Sequence, residues 1–187
     1  PSRSETRHSL WRPIHVRTAP PRHSSEILAP MKAPALLSLA LATLLATLPA
    51  TAVDDWRTPF NGKDLTGWKP NVYPDSWSVV DGAIRARATK ESSHLFFVGN
   101  KTDGFERFKD FELEVVARSE PSANGGIFIH TDYATMGAAF RLSKGYEIQL
   151  NSSQREKKKP GSLYAVVDLA TSPVDETKWF KVLITGL

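Results

Sequence analysis

Two short stretches decide the fold of this chain: Asn124-Gly125-Gly126-Ile127-Phe128-Ile129-His130 and, after a loop, Gly145-Tyr146-Glu147-Ile148-Gln149-Leu150. In both stretches apolar residues alternate with polar or small ones, which is typical of strands with one buried face. Because strand residues two apart point to the same face, Glu147 and Gln149 share one face. An apolar layer lies on the other.

If the two strands lie in one sheet, a carboxylate, an amide and an imidazole converge on one polar surface. By the same alternation, His130 shares its face with Phe128. Glu147 is the candidate general acid or base, because a carboxylate beside apolar surface can have a raised pKa. Gln149 and Asn124 are candidates for hydrogen bonds to sugar hydroxyls, and His130 could carry a proton or bind a metal.

These residues also have simpler interpretations. A strand Glu is often on a solvated face, and a lone His often serves structure alone. Trp68 and Tyr146 complete the candidate substrate-binding set; a Trp face suits the C–H face of a pyranose, although a Trp is more often core. Only two His lie in 53–187, so an all-His zinc site is excluded, while a mixed His/Glu/Asp site with Asp132 stays open. The residues specify no cofactor with certainty, and a divalent metal ion stays a candidate.

The segment 31–52 has the pattern of a secretory signal peptide. Met31-Lys32 provides positive charge, the apolar run 33–48 follows, and small residues precede Val53, where cleavage is expected. A membrane helix is the alternative, but the run is shorter than the ~20 residues that a span needs. We therefore expect a secreted or periplasmic protein with no stable membrane insertion after cleavage.

Residues 1–30 are rich in Arg, Pro, His and Ser and show no evident period. We predict a disordered upstream segment that is not native to the protein, with Met31 as the true start; a basic nucleic-acid arm is the alternative. The net charge of +4 lies entirely in 1–52, since 53–187 holds 18 basic and 18 acidic residues. The mature part thus gives no electrostatic reason to bind nucleic acid.

The rest of the chain, 53–187, predicts one all-β domain. It contains about eight short strand-like runs with turn signals between them and no sustained helical period, as in an antiparallel β-sandwich or jelly roll. Asp81-Gly82 predicts a hairpin, and the run 108–118 alternates cleanly. We also expect strands over 163–169 and 179–185. The last of these has no closing partner, so we interpret the domain as incomplete at its C-terminus.

Five motifs in order resemble the 3-keto-disaccharide hydrolase family, and the resemblance covers essentially all of 53–187. They are Phe60-Asn61-Gly62-Lys63-Asp64-Leu65-Thr66-Gly67-Trp68, Trp77-Ser78-Val79-Val80-Asp81-Gly82-Ala83-Ile84, Phe108-Lys109-Asp110-Phe111-Glu112-Leu113, Asn124-Gly125-Gly126-Ile127-Phe128 and Gly145-Tyr146-Glu147-Ile148-Gln149. The resemblance implies a concanavalin A-like jelly roll, export, and cleavage of small carbohydrates oxidised at C3.

The implied reaction is an elimination followed by hydration, unlike the two-carboxylate displacement of ordinary glycosidases. A base removes the C2 proton that the 3-keto group acidifies, and a divalent cation could stabilise the enolate. The family's Glu-x-Gln position falls on Glu147 and Gln149, which makes Glu147 the acid/base or metal ligand. His130, where the family often has Arg, would position the sugar with Gln149.

Two departures from the family pattern bear on activity. The family usually has an Asp shortly after Glu-x-Gln, whereas this chain has Asn151-Ser152-Ser153, and the family's later strands lie beyond Leu187. Three hypotheses follow: an exported hydrolase of 3-keto-glycosides, a non-catalytic glycan-binding module of lectin-like fold, and an inactive fragment.

Overall fold

A computed structural model describes residues 9–18, 55–88, 92–100, 106–133, 144–153, 155 and 157–187. Within these residues the chain forms nine strands and one 3₁₀ turn at Pro74–Ser76. The strands are β1 (Ser9–Thr18), β2 (Trp68–Pro70), β3 (Trp77–Val80), β4 (Ala83–Ala86), β5 (Leu95–Phe97), β6 (Phe111–Ser119), β7 (Asn124–Ile129), β8 (Tyr146–Asn151) and β9 (Phe180–Gly186). None of the described residues belongs to a helix that could cross a membrane.

The strands form two layers. One layer is a five-stranded antiparallel sheet in the order β3-β4-β1-β6-β9. The other consists of two antiparallel ribbons, β2–β5 and β7–β8. Apolar side chains of both ribbons pack against the inner face of the sheet. The predicted all-β, antiparallel sandwich is therefore confirmed.

The β3–β4 hairpin forms where the sequence predicts it. Val80 pairs with Ala83, which leaves Asp81 and Gly82 as a two-residue turn. Both turn residues have positive φ, 49° and 70°, as a type I′ turn requires and as Asp-Gly readily allows. The turn places Ile84, only 1% exposed, in the core.

The long strand β6 carries the predicted alternation. Phe111, Val115 and Ala117 are buried on its inner face, while Glu112 and Glu114 form ion pairs on its outer face. One dry face and one solvated face are what an antiparallel outer sheet of a sandwich requires.

The strand β1 corrects the interpretation of residues 1–30. Residues 9–18 are not disordered: they form the central strand of the sheet, between β4 and β6. Ile14 and Val16 are buried, 6% and 3% exposed. A register shift between Trp11 and Ile14 contains Pro13, which a bulge tolerates. That bulge interrupts the alternation, which hid the strand from sequence reasoning.

The remainder of 1–30 and the predicted signal peptide, 31–52, lie outside the described residues, so those expectations stay predictions. The sheet, however, extends beyond the predicted domain boundary. Cleavage before Val53 would separate β1 from its two partner strands.

The expected strand over 163–169 is wrong. The segment folds into a tight turn, in which the amides of Val166 and Val167 both donate to the carbonyl of Leu163 at 2.9 Å. Ala165 has a φ of 59°, which an extended strand does not permit. The turn instead borders the free edge of β8, since Tyr164 N donates to the Glu147 carbonyl at 2.9 Å.

Candidate functional site

The β7–β8 ribbon places Glu147 and Gln149 on the outer surface of the second layer. In the ribbon register Phe128 lies opposite Glu147, and Gly126 lies opposite Gln149. Directly opposed residues of an antiparallel pair project to the same side, so these four residues share one surface. The alternate residue Ile127 points inward to the core. The predicted face of Glu147 and Gln149 is confirmed.

Gly126 makes room for the Glu147 side chain. A Cβ atom added at Gly126 would lie 2.5 Å from both Cγ and Oε1 of Glu147. Real Cβ atoms essentially never approach other atoms this closely, so the Glu147 side chain occupies the space that a side chain at 126 would need. Its neighbour Gly125 has no atom within 4 Å of an added Cβ. A side chain would therefore meet Glu147 at position 126 and open space at position 125.

Gln149 fixes the carboxylate from the other side. With its amide oriented so that donors meet acceptors, Nε2 donates to Glu147 Oε1 and to the Gly125 carbonyl, both at 3.0 Å. The Asn124 side-chain amide is 3.1 Å from the Gln149 amide. Gln149 is only 1% exposed, and buried amides of this kind hold one orientation because each lost hydrogen bond is costly.

The far edge of β8 is held by the segment after the Lys run. Gln149 N donates to the Ser162 carbonyl at 2.9 Å, and Gly161 N donates to the Gln149 carbonyl at 3.2 Å. Asn151, which is fully buried, donates from Nδ2 to the Lys158 carbonyl at 2.9 Å. The resemblance implies an Asp shortly after the Glu-x-Gln positions. In this chain Asn151 lies in that stretch, and its side chain makes a structural hydrogen bond.

Aromatic rings border the carboxylate. The His94 ring meets Phe128 edge-on at 5.2 Å between centroids, and Phe96 meets Tyr133 at 5.0 Å. Lys69 Nζ lies 5.2 Å from the centre of the Tyr133 ring. These contacts join the outer faces of the two ribbons. We call the combined surface the Glu147 face. It comprises Lys69, His94, Phe96, Asn124, Phe128, Tyr133, Glu147 and Gln149.

His94 is a residue that sequence reasoning did not select. Its burial lowers the pKa of the imidazole below the ordinary value of 6.5, because a charged ring loses hydration there. Its Nδ1 is buried with no hydrogen-bond partner among the described residues. A neutral imidazole with an unused ring nitrogen therefore lies beside Phe128, the cross-strand neighbour of Glu147.

His130 does not lie on the Glu147 face, so the predicted convergence of His130 with Glu147 is wrong. Its φ of 54° ends the alternation of β7, since a left-handed residue turns the following chain. The ring lies 5.9 Å from that of Phe111 and 6.4 Å from that of Tyr146. Tyr146 occupies the alternate positions of β8, so it too lies on the side opposite to Glu147.

Trp68 is also away from the Glu147 face. It packs against the core cluster that contains Phe60, and its ring is 5.1 Å from that of Phe97. Its indole N–H donates to the Pro59 carbonyl at 3.0 Å. The core interpretation of Trp68 is the one that this position favours, while its neighbour Lys69 faces outward.

No group of three or more His, Asp or Glu side chains in the described part of the chain is arranged to hold a metal ion. Asp132, the residue considered for a mixed site, pairs with Lys144 at 3.0 Å on the surface.

The residues missed from the sequence share one property: their place depends on how the ribbons dock. His94 and Phe96 precede or lie in β5, and Tyr133 follows β7. No local pattern brings these three positions together. The one available signal is the aromatic and imidazole content of the run His94-Leu95-Phe96-Phe97.

The described residues form an antiparallel β-sandwich that carries a hydrogen-bonded carboxylate and aromatic rings on one outer face. Comparison with known proteins identifies the family. Residues 55–186 match the model of the 3-keto-alpha-glucoside-1,2-lyase-like domain family. The match covers well over half of the chain, and the chain belongs to this family. The strand β1 lies outside the matched residues.

A curated relative carries a more specific name. The 3-keto-disaccharide hydrolase of Bacteroides thetaiotaomicron is 31% identical over 84 residues, which is 43% of this chain and 29% of the relative. The aligned region thus spans less than a third of that protein. No solved structure matches the chain.

Proposed function

We propose that this chain forms the carbohydrate-binding and catalytic domain of an exported enzyme that cleaves 3-keto-glycosides, including 3-keto-disaccharides. Membership of the lyase-like family and the name of the Bacteroides relative support the substrate class. The signal-peptide pattern at 31–52 supports export to the periplasm or the medium.

The proposed reaction begins with removal of the C2 proton. The C2–H electrons form an enolate with the C3 carbonyl. The enolate then re-forms the carbonyl, a C1–C2 double bond appears, and the C1–O bond breaks with its electrons on the leaving oxygen, which takes up a proton. Addition of water across C1–C2 restores a 3-keto sugar. The first half is a lyase reaction, and both halves together amount to hydrolysis.

The observation that carries the proposal is the fixed carboxylate of Glu147. It rests on Gly126 and accepts a hydrogen bond from the buried Gln149 amide. A general base needs a defined position more than any other property, since proton transfer requires hydrogen-bond reach to the substrate. We assign Glu147 as the base that takes the C2 proton, with the buried Gln149 orienting its carboxylate and the exposed Asn124 orienting the sugar.

The imidazole for this reaction is then that of His94 in place of His130. Burial lowers the pKa of the His94 imidazole and favours the neutral ring. Since Nδ1 is buried, we assign Nε2 as the nitrogen that donates a hydrogen bond to an oxygen that gains negative charge. Phe128 and Tyr133 offer ring faces or edges to the apolar side of a pyranose. Lys69 adds a positive charge at the rim of the same surface.

The test is turnover of a 3-keto-disaccharide by the full chain and by Glu147→Gln. We expect the substitution to reduce kcat by about 10²–10⁴-fold, the usual contribution of a general base. A substrate deuterated at C2 should react more slowly with the unchanged protein, since breaking of the C2–H bond is the proposed first step. A parallel assay with a chelator reports whether a divalent cation contributes.

The matched control is Glu114→Gln. Glu114 is also a strand carboxylate, but it pairs with Lys181 at 3.0 Å on the outer face of the other layer. It should leave turnover unchanged. Turnover that survives Glu147→Gln, or that is insensitive to C2 deuteration when chemistry limits the rate, would overturn the assignment of the base.

The aromatic content of the Glu147 face favours a second candidate, a non-catalytic glycan-binding module. Rings such as those of Phe96 and Phe128 serve sugar stacking without any chemistry. Saturable glycan binding with no cleavage by the full chain, weakened only modestly in Glu147→Gln, would establish that candidate.

A further inference from the structure

The outer face of the five-stranded sheet is electrostatically matched along most of its length. Glu112 of β6 pairs with Arg17 of β1, with Nε 2.7 Å from Oε2. Two residues further along β6, Glu114 pairs with Lys181 of β9 at 3.0 Å. Each carboxylate of this part of β6 thus has a cation from a neighbouring strand.

The match ends at Arg118, at the other end of the same face. The guanidinium carbon of Arg118 lies 5.2 Å from the centre of the Trp179 ring, and that of Arg12 lies 4.6 Å from it. Neither guanidinium forms an ion pair with any described carboxylate. Two cations are therefore held within about 10 Å of each other by one indole, with no counter-charge bound to them.

A cavity of about 180 Å³ opens between these groups. Its walls include Leu10 and Ala83, which are buried, 8% and 2% exposed. Asp81 also lines the cavity, and no ion pair joins its carboxylate to either arginine, so the two arginines outnumber the one acidic residue there. Arg12 Nη1 donates a hydrogen bond to the Asp81 carbonyl at 3.1 Å. This hydrogen bond fixes the guanidinium at the cavity wall. A guanidinium has five donors, so most donors of both arginines remain available.

The same sheet face contains an internal comparison. Arg17 stacks over Trp56 at 4.7 Å, much as Arg12 stacks over Trp179. Arg17, however, is neutralised by Glu112. Arg thus stacks on Trp at two places on this sheet. Among the described residues, the stack at Trp179 is the one that lines a cavity and whose arginines form no ion pair.

We propose that the cavity between Arg12, Arg118 and Trp179 binds a small oxyanion, a carboxylate or a phosphate group. Guanidinium groups recognise both through paired N–H donors, and partly apolar walls strengthen such hydrogen bonds. A bound anion would remove the repulsion between the two cations. The site lies on the outer face of the five-stranded sheet, in the layer opposite to the Glu147 face, so it is distinct from the proposed catalytic surface. Because Arg12 belongs to β1, the site exists in protein that keeps residues 9–18, and cleavage before Val53 would remove it.

Two sources can supply this chemistry, and two probes separate them. The full chain, labelled with ¹⁵N at its five Trp residues, is titrated with inorganic phosphate and, separately, with D-glucuronate. Ionic strength is held constant with chloride. We expect the Trp179 indole N–H signal, identified with Trp179→Phe, to shift saturably. A response to glucuronate alone assigns the site to acidic sugars, and a response to phosphate assigns it to phosphate groups.

Arg118→Gln should weaken binding at least tenfold, and Arg12→Gln should do the same, because each removes a charged donor. Arg17→Gln, which removes the neutralised stack, should leave the affinity unchanged. The other indole signals report whether each variant is folded. A Trp179 signal that responds to neither probe, or that responds equally in Arg118→Gln, would overturn the proposal.

Discussion

The five-stranded sheet and the β7–β8 ribbon are built from the chain in opposite ways. The ribbon joins strands close in sequence, and all of it falls within the residues that match the family. The sheet depends on β1, which lies outside the match and pairs with strands 65 or more residues away. The candidate chemistry therefore rests on local structure, while the layer that supports it requires a remote strand.

This difference separates stability from function. Changes in β1 should unfold the protein without any specific effect on substrate, whereas changes in the ribbon should alter the reaction while the fold survives. Substitutions in β1 and in the β7–β8 ribbon test that separation.

Val16→Asp places a carboxylate in the core position of β1 that is 3% exposed. Burying an unpaired charge should cost about 3 kcal/mol or more of the free energy of unfolding, enough to unfold a marginal domain. Urea titration followed by circular dichroism measures the loss. Thr18→Asp, at the exposed end of the same strand, is the control. Equal stability of the two variants would show that β1 does not complete the sheet.

Whether the folded protein keeps β1, or loses it through cleavage at the predicted signal peptide, can be measured from its intact mass. If β1 remains in the folded protein, the intact mass of the secreted or purified protein includes residues 9–18. A mass that corresponds to a chain starting at Val53 would show that the sheet folds without β1 between β4 and β6.

Gly126→Ala should reduce turnover of the 3-keto-disaccharide about 10²-fold, since a Cβ at this position displaces the Glu147 side chain that it would meet at 2.5 Å. Overpacking should also cost about 1–3 kcal/mol of stability. Gly125→Ala, one residue away and facing open space, should change neither. Similar kinetics for the two alanine variants would show that turnover does not depend on the fixed position of the Glu147 carboxylate.

His94 should make stability depend on pH in a definite direction. Its pKa in the folded state lies below 6.5 because the ring is buried, so the unfolded chain binds more protons at mildly acidic pH. Stability should be fully present above about pH 7, fall as the pH drops through 6.5, and level off below the folded pKa. Thermal melts between pH 8 and 4.5 measure this slope.

His94→Phe keeps an aromatic ring against Phe128 but removes the titrating group. The slope between pH 7 and 5 should become shallower in this variant. An unchanged slope would assign the pH dependence to other groups.

The smallest effect concerns Asp64, in the exposed turn before β2. Hydrogen bonds from Thr66 and then Asn61 lower the pKa of this carboxyl to about 2 from 3.8. Its contribution to stability is therefore present above pH 3.8 and lost as the pH falls toward 2. Carboxyl-carbon NMR titration should give a midpoint near 2. A midpoint near 3.8 would show that the turn is not held in solution.

Features set by neighbouring residues could be predicted from the sequence. Asp81-Gly82 specified its hairpin because positive φ at both positions is a property of those two residues. The shared face of Glu147 and Gln149 follows from the two-residue period of a strand. Family membership, indicated by five ordered motifs, is likewise established by the match over 55–186.

Features that depend on one backbone angle or on docking could not be predicted. A single left-handed residue moved His130 off the expected face, and no pattern announces such a residue when it is not Gly. The bulge at Pro13 concealed β1, and the partners of β1 lie too far along the chain for any local signal. His94 joined the Glu147 face only because the β2–β5 and β7–β8 ribbons meet.

The central position of β1 has a consequence for the order of events during synthesis. Ser9 pairs with Ser119, and Thr18 with Phe111, so β1 leaves the ribosome about 100 residues before its second partner. At 5–20 residues per second, the strand waits roughly 5–20 s. Until β4 and β6 have been synthesised, β1 has open hydrogen-bonding edges on both sides, which are templates for a strand of another molecule. The yield of native protein should therefore fall as the concentration of nascent chains rises.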